Sequence, residues 1–245
     1  MFSIITVTYN SLPTLKESYF SLLGQNYRNW EWIVQDGGSL DGTIDWLESL
    51  ADDRINWVSQ PDSGIYDALN KALERAKGQW IGLLHSDDLY PHNGVLEAVF
   101  EVSQGFDVVY GDLLYVDSIN LHRVYRNWKS GYFKPKLLYR GWMPPHPTLF
   151  LRKEIYQSVG LFDTQFRIAA DYDYVLRVFS VPNLKVQYLP TILMLMRHGG
   201  ASSRMSNLFF KSKEDWKVLK KNKVPNYRIV LFMKIARKIT QLLRK

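Results

Sequence analysis

Two adjacent carboxylates, Asp87 and Asp88, stand where the apolar run Trp80-Ile81-Gly82-Leu83-Leu84 gives way to His85-Ser86 and, beyond the pair, to Leu89-Tyr90-Pro91. A short run bounded by Gly78 reads as a buried strand that stops at the acidic pair. In open α/β sheets ligands bind beyond the carboxyl ends of the strands, and hard oxygen ligands suit Mg²⁺ or Mn²⁺ held together with substrate phosphates. An Asp-Asp pair can equally begin a turn and cap the next helix.

A second acidic cluster lies in Arg167-Ile168-Ala169-Ala170-Asp171-Tyr172-Asp173-Tyr174-Val175-Leu176-Arg177-Val178-Phe179. Tyr172, Val175, Leu176 and Phe179 fall on one face of a helix. Asp173 has Arg177 four residues on, the spacing of a surface ion pair. Asp171 has Val175 there instead, so it sits near the helix start with no local basic partner, placed either to act as a base or to cap the helix. His198, in Met196-Arg197-His198-Gly199-Gly200-Ala201-Ser202, could ligate a metal, contact a phosphate or serve as a structural hydrogen-bonder, and His146, between prolines, has similarly divided roles.

The elements that must position these groups alternate. Residues 3–9 read as a strand ending at Tyr9-Asn10-Ser11, followed by a helix carrying Leu12, Leu15, Tyr19, Leu22 and Leu23. Trp30 to Gln35 is a second strand, ending in Asp36-Gly37-Gly38-Ser39, where glycines let the backbone approach a ligand. Ile55 to Ser59 is a third, and Asp62-Ser63-Gly64-Ile65-Tyr66-Asp67 opens a helix that leads back to Trp80. This rhythm specifies a mostly parallel sheet with helices on both faces, and it gathers four polar loops at one edge. Residues 94–103 read as a helix, Asp107 to Gly111 as a strand and Thr148 to Leu151 as another. Between them Leu113 to Pro147 is rich in aromatics, Trp142 among them, whose faces suit sugar C–H surfaces or a core.

At 245 residues with 46% apolar content the chain can bury a sizeable core, and the absence of cysteine excludes disulfides and thiolate metal sites. The N-terminal segment lacks a basic region ahead of its apolar run and reads as a strand, which leads us to expect a cytoplasmic body. The net charge of +7 belongs to the tail: ten basic and no acidic residues follow Asp215, leaving 21 basic against 24 acidic residues before it. That asymmetry argues against nucleic acid and for an anionic membrane surface. From Tyr227 to Lys245, Ile229, Phe232, Met233, Ala236, Ile239 and Leu243 form one apolar stripe with Lys234, Arg237, Lys238, Arg244 and Lys245 largely off it. Such a helix lies on the inner face of the cell membrane or forms a homodimer.

Ser3 to Asn10, Trp32-Ile33-Val34-Gln35-Asp36-Gly37-Gly38-Ser39 with Asp41-Gly42-Thr43, Ser63-Gly64-Ile65-Tyr66-Asp67-Ala68-Leu69-Asn70-Lys71 and Ser86-Asp87-Asp88 together resemble the family 2 glycosyltransferases, over about residues 3 to 204. The resemblance is to small bacterial enzymes that build exopolysaccharide or O-antigen units. It implies a GT-A fold over residues 1–204, with 1–112 as the nucleotide-sugar half and 113–204 as the acceptor half, and residues 205–245 as a basic amphipathic helical extension. It places Thr8, Tyr9 and Asn10 around the nucleobase, Asp36 on the base with Gly37 and Gly38 beside it, Asp67 and Asn70 at the border of the nucleotide pocket, and Asp87 on the ribose or metal. Asp88 or Asp87 holds Mn²⁺ or Mg²⁺, with His198 a further candidate ligand, Asp171 is the catalytic base, and His146 and Trp142 meet the acceptor. Two positions depart from the family pattern. His85 stands at the first position of an Asp-x-Asp motif and Ala170 replaces the Glu of Glu-Asp.

The implied activity is inverting transfer from a nucleotide-sugar, with UDP as carrier, to a saccharide or polyprenyl-linked saccharide hydroxyl. The rival reading is a nucleotide-sugar-binding regulator without transferase activity. Nucleotidyl transfer would need a Gly-rich phosphate loop with a basic residue near the N-terminus, which Thr8-Tyr9-Asn10-Ser11 does not offer.

Overall fold

The computed structural model describes residues 1–199 and 207–243, with side chains described for 1–199 and 210–237. β1 (Phe2–Thr8) and β2 (Trp30–Asp36) are buried at every position, as strands covered on both faces must be. They pair in parallel with each other, β2 also with β3 (Ile55–Ser59) and β1 with β4 (Trp80–Leu83). The connections are α1 (Leu12–Leu23), α2 (Thr43–Glu48) and α3 (Ile65–Arg75). This is the alternating half that the sequence specifies. Its register sets Thr8 beside Asp36 and Asp36 beside Ser59, so three strand ends share one edge.

The second half is mixed. β5 (Asp88–Leu89) and α4 (Val95–Val102) lead to β6 (Val108–Val116), which runs five residues beyond the expected end at Gly111 and folds back as β7 (Val124–Trp128). The strand expected at Thr148 to Leu151 is β8 (Phe150–Arg152), preceded by a 3₁₀ turn, His146–Thr148. β8 inserts antiparallel between β4 and β6. After α5 (Lys153–Val159) and α6 (Ala170–Phe179), β9 (Val186–Arg197) pairs parallel with β6 and antiparallel with β5, giving the order β3-β2-β1-β4-β8-β6-β9-β5.

Alternation along β1 divides the core in two. Ile5 and Val7 pack with α3, α6 and Trp142 on one face, while Phe2 and Ile4 pack with Leu15, Leu22 and Val99 on the other. Asp173 departs from expectation, because it is fully buried rather than on the surface. Its carboxylate accepts from Arg177 Nε at 2.8 Å and from Asn222 Nδ2 at 2.8 Å, with Lys221 Nζ 3.0 Å away. Two cations and an amide supply what a buried carboxylate needs.

α7 (Asn207–Lys221) and α8 (Tyr227–Leu243) close the chain against α6 and the 3₁₀ turn Pro135–Arg140. Ile229 and Phe232 of the expected apolar stripe are 60% and 72% exposed, and Met233 and Ala236 are half-buried. The side chains of Ile239, Leu243, Lys238, Arg244 and Lys245, and the boundary at 204/205, lie outside the described residues. Two of the basic residues turn inward instead of flanking the stripe. Lys234 Nζ meets the buried Asp215 at 2.7 Å, and Arg237 Nε donates to the Arg140 carbonyl at 3.0 Å. No described helix is long and apolar enough to cross a membrane.

Candidate active site

The loops after β1, β2 and β3 are knitted together around Asp36. Its wholly buried carboxylate accepts from Gly38 N and Ser39 N, each at 2.9 Å, from Ser59 Oγ at 2.6 Å, and from Ser39 Oγ. Asn10, with a left-handed φ of 48°, accepts from Leu40 N at 2.8 Å through its side chain and donates its own N–H to Ser39 Oγ at 2.8 Å. A side chain at Gly37 would begin 2.8 Å from Asp62 Oδ2 and 3.3 Å from the Tyr9 ring, so glycine lets these loops meet without displacing either side chain. Tyr9 lies 61% exposed at this edge, and Thr8 Oγ1 is buried without a hydrogen-bond partner. Asp36 therefore shapes the pocket from behind, and Tyr9 is the surface a planar base could stack on.

α3 ties this edge to the other half. Asp67 accepts from Ser63 N at 2.9 Å and pairs with Lys71 at 3.1 Å, holding the start of the helix. Asn70 bonds Phe162 twice, to its carbonyl and from its N–H, both at 2.9 Å. Tyr66 donates its hydroxyl to the Ile168 carbonyl at 2.9 Å, three residues before Asp171. Both Asp67 and Asn70 are thus engaged in holding backbone.

The acidic pair is fixed through its backbone. Ser18 Oγ donates to the Asp88 carbonyl at 2.5 Å and Arg197 Nη1 to the Asp87 carbonyl at 2.9 Å. The Asp88 side chain is wholly buried and neither oxygen has a hydrogen-bond partner. Burial first, then the neighbouring Asp87 charge, pushes its carboxyl well above the usual range. An isolated buried carboxylate is unfavourable as an anion unless a cation joins it. With Asp87 it fits the donor set that Mg²⁺ or Mn²⁺ takes up alongside substrate phosphates. Among the described residues no group of three His, Asp or Glu could hold a metal alone. His198 follows the strand paired with Asp88; it is exposed, its ring lies 5.0 Å from that of Tyr125, and its N–H donates to Val116.

Asp171 faces the same space. Burial depresses the basicity of His85, and the charges of Asp87 and Asp171 both act on it in the opposite sense. Burial likewise pushes the Tyr115 phenol up to about 12, with Asp88 and Asp171 both adding to the rise. His146, 6% exposed, is pushed down to about 4 by burial, and it too feels both Asp171 and His85. His85 and Tyr115 are therefore each within electrostatic reach of both the acidic pair and Asp171. Trp142 is elsewhere: it is buried against Tyr110, Phe133 and Phe179 and donates its indole N–H to the Ser130 carbonyl at 2.8 Å, so it is a core anchor instead of an acceptor contact.

His85, Tyr66 and Tyr115 escaped assignment from sequence. His85 shows only as an oddity beside the acidic pair, and the two tyrosines carry no spacing signal.

A sequence profile of glycosyl transferase family 2 matches residues 3–160. The chain belongs to this family. A PGL/p-HBAD biosynthesis glycosyltransferase of Mycobacterium tuberculosis is 29% identical over 209 residues, covering 83% of this chain and 79% of that protein. Among solved structures, residues 1–349 of S. aureus TarS in complex with UDP-GlcNAc superpose with a TM-score of 0.68 at 19% identity, covering 90% of this chain and 65% of that one. The mannosyltransferase PcManGT from Pyrobaculum calidifontis, in complex with GDP-Man and Mn²⁺, gives a TM-score of 0.63 at 19% identity and covers 95% of this chain and 68% of that one. The fold is GT-A, and this family 2 member is a glycosyltransferase.

Proposed function

We propose that this glycosyltransferase performs inverting transfer from a UDP-sugar to a hydroxyl of a saccharide acceptor, carried on a polyprenyl diphosphate, in bacterial surface polysaccharide synthesis. The observation that carries this reading is that the charges of Asp87 and Asp171 both act on the buried His85, which supports donor-side and acceptor-side carboxylates working at one site. Tyr9 and the loop built on Asp36 receive the nucleobase. Asp171 takes the proton from the acceptor hydroxyl as its oxygen attacks the anomeric carbon, and the bond from that carbon to the nucleoside diphosphate breaks. Single displacement inverts the centre. His85 and His146, depressed by burial, carry no positive charge near neutral pH. When bound at Asp87 and Asp88, Mn²⁺ or Mg²⁺ supplies neutralisation of charge on the leaving diphosphate.

A bound UDP-sugar in one relative and a GDP-sugar with Mn²⁺ in another support the nucleotide-sugar and cation parts of this reading. The exposed Ile229 and Phe232 on a helix followed by basic residues support a peripheral position on an anionic membrane. A thermal-shift panel of UDP-, GDP- and dTDP-sugars with and without Mn²⁺ tests the donor, since a ligand at ~100 Kd stabilises by ~2.7 kcal/mol. Stabilisation by UDP-sugars that requires Mn²⁺ is expected, and a shift with GDP- or dTDP-sugars alone would reassign the donor. NMR of the product then reads the anomer, and retention would reject single displacement. Donor binding without transfer or donor hydrolysis would leave the regulator.

A further inference from the structure

The turn that carries Asp171 is not held by its own sequence. α6 begins at Ala170 with Ala169 as N-cap and no side-chain cap. Glu214, on α7 and 5% exposed, holds the three backbone N–H groups that lead into the helix. Its Oε1 accepts from Arg167 N and its Oε2 from Ile168 N and Ala169 N, each at 2.9 Å. The Ile168 peptide is gripped from both sides, because its carbonyl accepts from Tyr66. The next residue, Asp215, binds Lys234, whose ammonium lies 3.3 Å from the centroid of the Tyr172 ring. Consecutive acids of α7 thereby hold residues 167–169 ahead of Asp171 and, through Lys234, the Tyr172 ring after it. Both acids lie beyond residue 160, where the family profile ends.

We propose that Glu214 is a positioning residue for acceptor activation, setting the Asp171 turn through three backbone N–H groups so that the C-terminal helices are part of the catalytic apparatus. This role rests on Asp171 being the base, as proposed above. A carboxylate in that place binds three donors without adding one of its own, which an amide does not. In Glu214→Gln the amide nitrogen faces N–H groups, and the turn must move.

The experiment is a double-mutant cycle of Glu214→Gln and Asp171→Asn in the full chain, reading kcat for transfer and donor KM. Glu214→Gln is expected to lower kcat for transfer by about 10²-fold, the effect of a misplacement on the order of 1 Å, with donor KM unchanged. Added to Asp171→Asn it is expected to lower transfer no further, since it acts through that carboxylate. An additive loss, or a rise in donor KM in place of the fall in kcat, would show a merely structural role and overturn the proposal. Undiminished transfer in Asp171→Asn would instead overturn the base assignment. Should Glu214→Gln fail to fold, Glu214→Asp, which keeps the charge but withdraws it by one methylene, is read by the same cycle: a kcat loss that vanishes in the Asp171→Asn background supports the role, and an additive loss, or no loss, removes it.

Discussion

Tyr66 and Ile168 are joined by a 2.9 Å hydrogen bond that runs from the helix after the third strand to the turn before Asp171. It links the two halves of the chain three residues before Asp171. Tyr66→Phe removes the donor and leaves the Ile168 carbonyl one partner short, so the variant should lose about 1 kcal/mol of unfolding free energy in a denaturant titration. An unchanged midpoint would mean that water replaces the phenol there.

Asp171→Asn keeps the shape of the side chain but cannot accept a proton. Transfer is expected to fall by ~10²–10⁴-fold, the usual contribution of general-base help, while UDP binding measured by calorimetry persists. Full activity would eliminate Asp171 as the base.

Asp36→Ala deletes the acceptor for two backbone N–H groups and two serine hydroxyls at a buried position. The loss should be about 3 kcal/mol or more, seen as a lower midpoint of chemical unfolding, with weakened nucleotide binding as the loop loosens. If donor affinity fell with no loss of stability, Asp36 would be a direct contact and not the frame.

His146 gives a pH signature. Its value moves from an ordinary 6.5 in the unfolded chain to about 4 when folded, because burial disfavours the imidazolium. The unfolded chain thus binds the proton more readily, so His146 contributes stability above pH 6.5 that is lost as the pH falls toward 4. Over that window the wild type should lose about 3 kcal/mol more than His146→Gln, measured by unfolding at matched pH values. Parallel curves for the two proteins would refute the burial of a neutral imidazole.

Ile229→Glu with Phe232→Glu alters only the outward side of α8, both side chains being exposed. Co-sedimentation with anionic vesicles at low salt should be lost while the melting temperature is kept. Retained sedimentation would end the role of this stripe in membrane contact, and a wild-type dimer that dissociates in the variant would assign the stripe to self-association.

The ends of β1 and β2 were legible in the sequence because Thr8 and Asp36 each close an apolar run with a polar residue, a local signal, whereas β4 ends at Leu83 and Asp88, expected to end that run, opens β5. The mixed half was not. β8 is three residues long and enters antiparallel, and β5 is two, so neither carries a period that could reveal its pairing. Asp173 looked like one half of a surface pair because Arg177 is four residues away, whereas the partners that permit its burial, Lys221 and Asn222, lie at the end of α7, more than forty residues on. Trp142 stood in an aromatic stretch whose core and sugar-facing members have the same composition, and only the ring contacts of the folded chain separate them. Glu214 had no signature at all, since a backbone-capping acid reads like any other charge on a helix.

The bare Cα of Gly141 limits how this architecture can diverge. With φ at +67°, it sits where an added methyl group would begin 2.5 Å from the backbone nitrogen of Lys234. The seam between the body and its last helix has no spare volume there. Relatives that exchange this terminal segment for another must either keep a glycine at the seam or let the helix ride outward, and a helix that rides outward lifts the ammonium from the Tyr172 ring.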